Sequence, residues 1–289
     1  MTANDLSVVV PTLGRELLHG CLASLAGGDV RPAQVIVVDQ GRVTALERMA
    51  GEYRANGLDV VYVPSTRTGR SAGLNTGIAH VQTAYLAITD DDCIAAPDWI
   101  AQIAVALRTE PRAIVTGRVE AGGDEVVLSV ATSHVPFVQR RPRLLFDRLS
   151  GGNMGMSTAI ARELGAFDED PCLRTAEDAE FAYRALRAGV AIAYAPDAAV
   201  SHLGWRDSAE RVAQYRSYGV SQGGFYGKYL RRGDVFIALR AALHLLRALR
   251  RWAMGTLRRD ADQAAFGRAY VVGLLPGIAA GWRSRGGRL

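Results

Sequence analysis

The chain has 289 residues, nearly half of them apolar, and a formal net charge of +5, which is enough apolar length for a sizeable core and excludes a disordered chain. Its three cysteines, Cys21, Cys93 and Cys172, are odd in number and widely spaced, which fits neither a disulfide framework nor a Cys-x-x-Cys zinc site and points to a reducing cytoplasm. The charge is unevenly placed: residues 206–289 hold sixteen Lys or Arg against five Asp or Glu, and the remainder eighteen against twenty-four, so two jobs are expected in one chain.

Met1 to Asp5 is polar and the apolar run from Leu6 stops at Pro11, so that run reads as a strand and no secretory leader is expected. After the turn Pro11-Thr12-Leu13-Gly14-Arg15, the residues Leu17, Leu18, Cys21, Leu22 and Leu25 recur at three and four, as one buried helical face should. Gln34 to Val38 is a second strand ending at Asp39, Thr44 to Arg54 a helix, and Val60 to Val63 a third strand. The alternation predicts an α/β fold with a largely parallel sheet covered on both faces. No Gly-x-Gly-x-x-Gly follows the first strand, no Walker A loop is present, and the single lysine is Lys228, so dehydrogenase and P-loop chemistries are set aside. At a strand end, Asp39 reads first as an ordinary turn residue, and it also suits a ribose hydroxyl or a base N–H.

Arg67 to Ile78 is glycine-rich and basic, so its backbone can approach a bulky ligand while Arg70 pairs with a diphosphate. Ala84 to Thr89 is an apolar strand that ends in Asp90-Asp91-Asp92. Three adjacent carboxylates repel one another unless a cation or solvent screens them, and an all-oxygen set at the carboxyl end of a parallel strand favours Mg²⁺ or Mn²⁺. The competing reading is a solvated turn ahead of a helix starting at Pro97-Asp98-Trp99. Glu177-Asp178 opens another helix, whose apolar face runs through Phe181 and Leu186; these acids suit either a catalytic base or the helix dipole.

The basic tail predicts one helix from Asp234 to Arg259. Arg240, Arg247, Arg251 and Arg258 form one stripe at about 100° per residue, beside an apolar arc of Leu239, Leu243, Leu246, Ala253 and Leu257. Such a helix suits an anionic membrane surface; the alternative is packing on the catalytic domain or a homodimer contact. Ala269 to Trp282 is interrupted by Pro276 and is shorter than the ~20 residues a bilayer needs, so no spanning helix is expected.

Val8-Val9-Val10-Pro11-Thr12, Val37-Val38-Asp39, Gly69 to Gly77 and Asp90-Asp91-Asp92 occur in an order that resembles a family 2 glycosyltransferase of the GT-A fold. Gly151-Gly152-Asn153-Met154, Gly165-Ala166-Phe167-Asp168, Glu177-Asp178 ahead of Arg184, and Ala195-Pro196-Asp197 to His202 extend the resemblance over roughly residues 6 to 205. It implies a GT-A type mixed, mostly parallel sheet flanked by helices at 1–205, with a basic helical appendage at 206–289. It further implies an inverting, metal-dependent transfer from a nucleotide-sugar, UDP being the commonest carrier, to a saccharide or lipid-linked acceptor. That work belongs to polysaccharide or glycoconjugate synthesis at the cytoplasmic face, with no nucleic acid partner. By the same resemblance Pro11, Thr12, Arg15, Asp39, Arg70, Asn75, Asp90, Asp91, Gly152 and Asn153 line the donor. Asp90, Asp92 and His202 hold Mn²⁺ or Mg²⁺, Asp178 is the base and Glu177 its neighbour. His202 also reads as a core histidine. Leu74 stands where relatives often carry an arginine, which leaves the phosphate to Arg70. A metal-dependent nucleotidyltransferase and a non-catalytic scaffold of the same fold are the competing classes.

Overall fold

The computed structural model describes residues 5–122, 130–203 and 208–284. It divides into two compact units: Met1–Arg141, Arg148–Phe167 and Arg184–Trp205 form the first, and Pro142–Asp147, Asp168–Tyr183 and Arg206–Leu289 the second. The division expected between 205 and 206 falls outside the described residues. Two short stretches that precede it in sequence, 142–147 and 168–183, belong to the second unit because Leu173 and Tyr183 sit in that unit's core with Phe225, Tyr226, Ile237 and Leu274.

The first unit is built on β1 (Leu6–Thr12), β2 (Gln34–Asp39), β3 (Val60–Pro64), β4 (Tyr85–Thr89), β5 (Cys93–Ala95), β6 (Ala113–Gly122), β7 (Phe137–Gln139), β8 (Asn153–Ser157) and β9 (Ala191–Leu203). Their order is β3-β2-β1-β4-β8-β6-β9-β5, with β7 beside β9. β3, β2, β1 and β4 run parallel, as strand–helix alternation demands. β8 then enters antiparallel to both β4 and β6, so the parallel character holds for the first half of the sheet and for the β6–β9 pair.

α1 (Leu18–Ala26), α2 (Thr44–Ala55), α3 (Arg70–His80), α4 (Trp99–Thr109) and α5 (Thr158–Glu163) accompany that sheet. α1 buries Leu18, Cys21, Leu22 and Leu25, the expected face, into a core with Val8, Val10, Val35 and Val37. These strands are buried along nearly their whole length, so charged or hydroxyl side chains at their carboxyl ends are held on rigid backbone. The shared edge carries Thr12, Asp39 and Thr89 as the last residues of β1, β2 and β4.

The second unit holds a 3₁₀ turn at Pro171–Leu173, the start of α6 (Glu177–Arg187), and α7 (Ser208–Leu230), α8 (Val235–Arg258) and α9 (Ala261–Arg283). α7 and α9 lie parallel and backbone to backbone: a Cβ on Gly223 would come within 2.3 Å of the Leu274 carbonyl oxygen, and one on Gly277 within 2.1 Å of the Val220 oxygen. α8 returns antiparallel to α9, with Gly255 against Ala264 and Gly267 against Trp252. The chain's single lysine, Lys228, is buried and ion-paired to Asp168 and Asp170.

Two expectations about the tail are corrected. Arg240 does not belong to a solvated stripe: it is 2% exposed, pairs with Asp147 at 2.9 Å and stacks over Tyr183 and Phe236. Helical angle orders residues around an axis but does not reveal which of them meets a buried acid. α9 continues through Pro276 for 23 residues and is, by length and composition, sufficient to cross a membrane. Pro276 is exposed, so its ring lies on the open side of the helix, where the missing N–H costs least.

Candidate active site

Asp90, Asp91 and Asp92 form the tight turn between β4 and β5, closed by the Cys93 amide donating to the Asp90 carbonyl at 3.1 Å. Asp91 and Asp92 are each 4% exposed, and charges so placed require partners. Arg15 supplies one, its Nη1 lying 3.1 Å from both Asp91 Oδ1 and Asp92 Oδ2. Arg70, the first residue of α3, supplies the second by donating from Nε and Nη2 to Asp90 Oδ1 at 3.1 and 2.8 Å. Thr12 donates its hydroxyl to Asp91 Oδ2 at 2.6 Å. Burial pushes the Asp91 carboxyl upward, against the opposing pull of Thr12 and Arg15, while Asp92 and Asp90 add to the rise.

β9 brings the remaining polar group. Its antiparallel register with β5 sets His202 opposite Cys93, which leaves His202 Nε2 3.5 Å from Asp92 Oδ1. The buried His202 Nδ1 has no hydrogen-bond partner among the described residues. Ligand atoms of Asp92, Cys93 and His202 all lie within 4.8 Å of one another. A carboxylate, an imidazole and flanking acids that already draw two guanidinium groups form a donor set that suits a divalent cation such as Mn²⁺. Cys93 joins this cluster although its place directly after the acids gave no sign of it; only the β5–β9 pairing does. Burial, followed by Asp90 and Asp92, raises its thiol well above the ordinary range.

Gly152 lies beside the acids, where a Cβ would fall 2.7 Å from Asp90 Oδ2. Other residues of the expected donor surface have contacts of a different kind. Asp39 is fully buried; its Oδ1 accepts from the Gly41 and Arg42 amides and its Oδ2 from the Val43 amide and the Tyr62 hydroxyl, all at 2.8–2.9 Å. This is the strand-ending turn arrangement, and burial together with Asp39 pushes the Tyr62 phenol up to about 12. Asn75 bonds both the amide and the carbonyl of Phe167. Asn153 is fully buried, accepting from the Trp99 indole and donating to the Arg118 and Ala198 carbonyls. Pro11 is buried within β1. Glu177 and Asp178 lie in the second unit, at the first turn of α6, Glu177 5% exposed and Asp178 accepting from the Ala179 amide at 2.7 Å.

The half-parallel sheet with an acid triplet at the carboxyl end of its fourth strand is of the GT-A class, as its solved neighbours show. Mannosyltransferase PcManGT from Pyrobaculum calidifontis, solved with GDP-Man and Mn²⁺, superposes with a TM-score of 0.64 at 18% identity, covering 96% of this chain and 85% of that one. S. aureus TarS 1-349 in complex with UDP-GlcNAc gives 0.61 at 16% identity, covering 93% and 90%. Residues 3–217 match glycosyltransferase like family 2, and the chain belongs to that family. Among curated proteins, the pre-mycofactocin glycosyltransferase of Mycobacterium tuberculosis is 25% identical over 226 residues, which cover 75% of this chain and 46% of the relative. The chain therefore spans about half the length of that relative.

Proposed function

We propose that this chain transfers a sugar from a nucleoside diphosphate donor, with UDP as the carrier, to a hydroxyl of a saccharide or lipid-linked acceptor. The observation that carries the proposal is the placement of Asp90, Asp91 and Asp92 at the carboxyl end of β4, facing Arg15, Arg70 and His202. Asp90, Asp92 and His202 would hold Mn²⁺ or Mg²⁺, which when bound supplies Lewis-acid stabilisation to a leaving diphosphate. Arg15 and Arg70, paired to the same acids, are the guanidinium groups within reach of that charge. Thr12 and Pro11 are assigned to the nucleoside side, and Gly152, whose missing Cβ admits the Asp90 carboxylate, to the donor surface. By the family resemblance Asp178 would be the base for the acceptor hydroxyl, with Glu177 its neighbour, and the transfer would be inverting. The relatives with GDP-Man and UDP-GlcNAc support a nucleotide-sugar donor as a class. The basic helices of the second unit suit a peripheral position on the cytoplasmic face of a membrane, where a lipid-linked acceptor or growing glycan is available.

Calorimetric titration with UDP-sugars and Mn²⁺ tests the reading. The wild-type chain should bind donor only with metal, and Asp92→Ala should weaken that binding by at least about tenfold, the scale of one lost charged contact. Equal metal-dependent affinity in the variant would remove the acid turn from donor binding.

A further inference from the structure

The second unit contains a groove that the transferase reading does not use. It is a cavity of about 680 Å³ between α7, α8 and α9 and the 142–147 stretch, within the size range of small-molecule sites. Four arginines of α8, Arg247, Arg250, Arg251 and Arg258, line it, and among the described residues no Asp or Glu does. Its other side is apolar and aromatic, with Phe146, Tyr215, Phe266 and Tyr270. Arg251 joins the two characters: it lies 5.1 Å over the Tyr215 ring and 5.2 Å over the Phe266 ring, and its Nε donates to Gln263 Oε1 at 2.7 Å. The guanidinium is thereby fixed at the boundary between the charged and the apolar surface.

We infer that this groove binds a phosphorylated lipid, its phosphate among the arginines and its hydrocarbon chain along the aromatic side. Charge complementarity and apolar exposure select this ligand together. Free phosphate would satisfy the arginines but leave Leu145, 41% exposed, and Phe146, 59% exposed, in water. A neutral lipid would cover those side chains and leave clustered like charges uncompensated. Leu246, 64% exposed, and Leu257, 77% exposed, fall within the stretch of α8 that lines the groove but outside its lining, so further apolar surface is available on the same helix. The inference stands on the second unit alone and does not need the first unit to be a transferase.

Octyl phosphate, a soluble single-chain probe, decides it by titration against the full chain. Saturable one-to-one binding is expected, at least about tenfold tighter than that of inorganic phosphate or octyl glucoside. The double variant Arg247→Gln, Arg250→Gln changes two exposed side chains and should lose about tenfold in octyl phosphate affinity with an unchanged melting curve. Arg268→Gln, on the exposed side of α9 and outside the groove, should change nothing. Equal affinity for inorganic phosphate would make the site a plain anion site, and equal affinity for octyl glucoside a plain apolar one; either overturns the inference. Binding of anionic vesicles without binding of octyl phosphate overturns it as well, leaving a surface that adsorbs to membranes.

Discussion

Asp39 and Asp178 should respond in opposite ways to the same conservative change. Asp39→Asn places an amide nitrogen where two or more donors converge on the carboxylate, which should cost about 1–3 kcal/mol of stability and appear in thermal denaturation of the chain. Asp178→Asn, at the proposed base, should leave stability and donor affinity nearly intact while abolishing turnover, because a general base acts only once the acceptor reacts; single-turnover assays beside donor titration separate the two. The acid triplet was legible in the sequence because three charges directly after an apolar run can lie only at the end of that strand. Asn75 and Asn153 were not. Their partners are the Phe167 backbone and the Trp99 indole, and nothing in a linear motif distinguishes an amide aimed at a ligand from one that ties together distant parts of a sheet.

At the scale of elements, periodicity set α1, α2 and α8 to within about two residues, since local apolar spacing and capping residues decide where a helix runs. Asp234 illustrates this, its carboxylate accepting from the Ile237 amide to cap α8. The long β6–β9 pair and the seating of β8 between β4 and β6 depend on partners far apart in the chain and left no local mark. The same non-local packing creates a pH dependence in the helical unit. His244 is held between the Tyr226 hydroxyl and the Leu145 carbonyl, and burial lowers its pKa, with Arg240 and Arg247 adding to the effect against the Leu145 hydrogen bond. The unfolded chain then binds this proton more tightly than the folded one, so the His244 contribution is complete above the unfolded value of about 6.5 and is lost as pH falls through the lower folded value. Melting temperature should drop as the solution is taken from neutral to mildly acidic pH, and His244→Gln should flatten that part of the profile.

For the molecule as a whole, the chain forms two compact units, one bearing the acid turn and the other exposing arginines beside leucines; the charge division at 205/206 is not their boundary, because the acids of 168–183 belong to the second unit. Sedimentation with anionic vesicles should show salt-sensitive binding of the full chain, and Leu246→Glu with Leu257→Glu should abolish it by putting charge on two highly exposed apolar positions of α8. A concentration-dependent dimer lost in that variant, without vesicle binding by the native chain, would assign the surface to self-association instead. The seam between α7 and α9 has a further consequence for how the gene tolerates change. Gly219, Gly223 and Gly227 on one helix and Gly273, Gly277 and Gly281 on the other each have a backbone atom of the opposite helix within 2.5 Å of where a Cβ would be. Every amino-acid change reachable from a glycine codon by one nucleotide adds that carbon, so drift cannot sample this seam in small steps, and a random-mutagenesis library screened for folded protein should come back depleted there, in a unit that carries none of the acid turn.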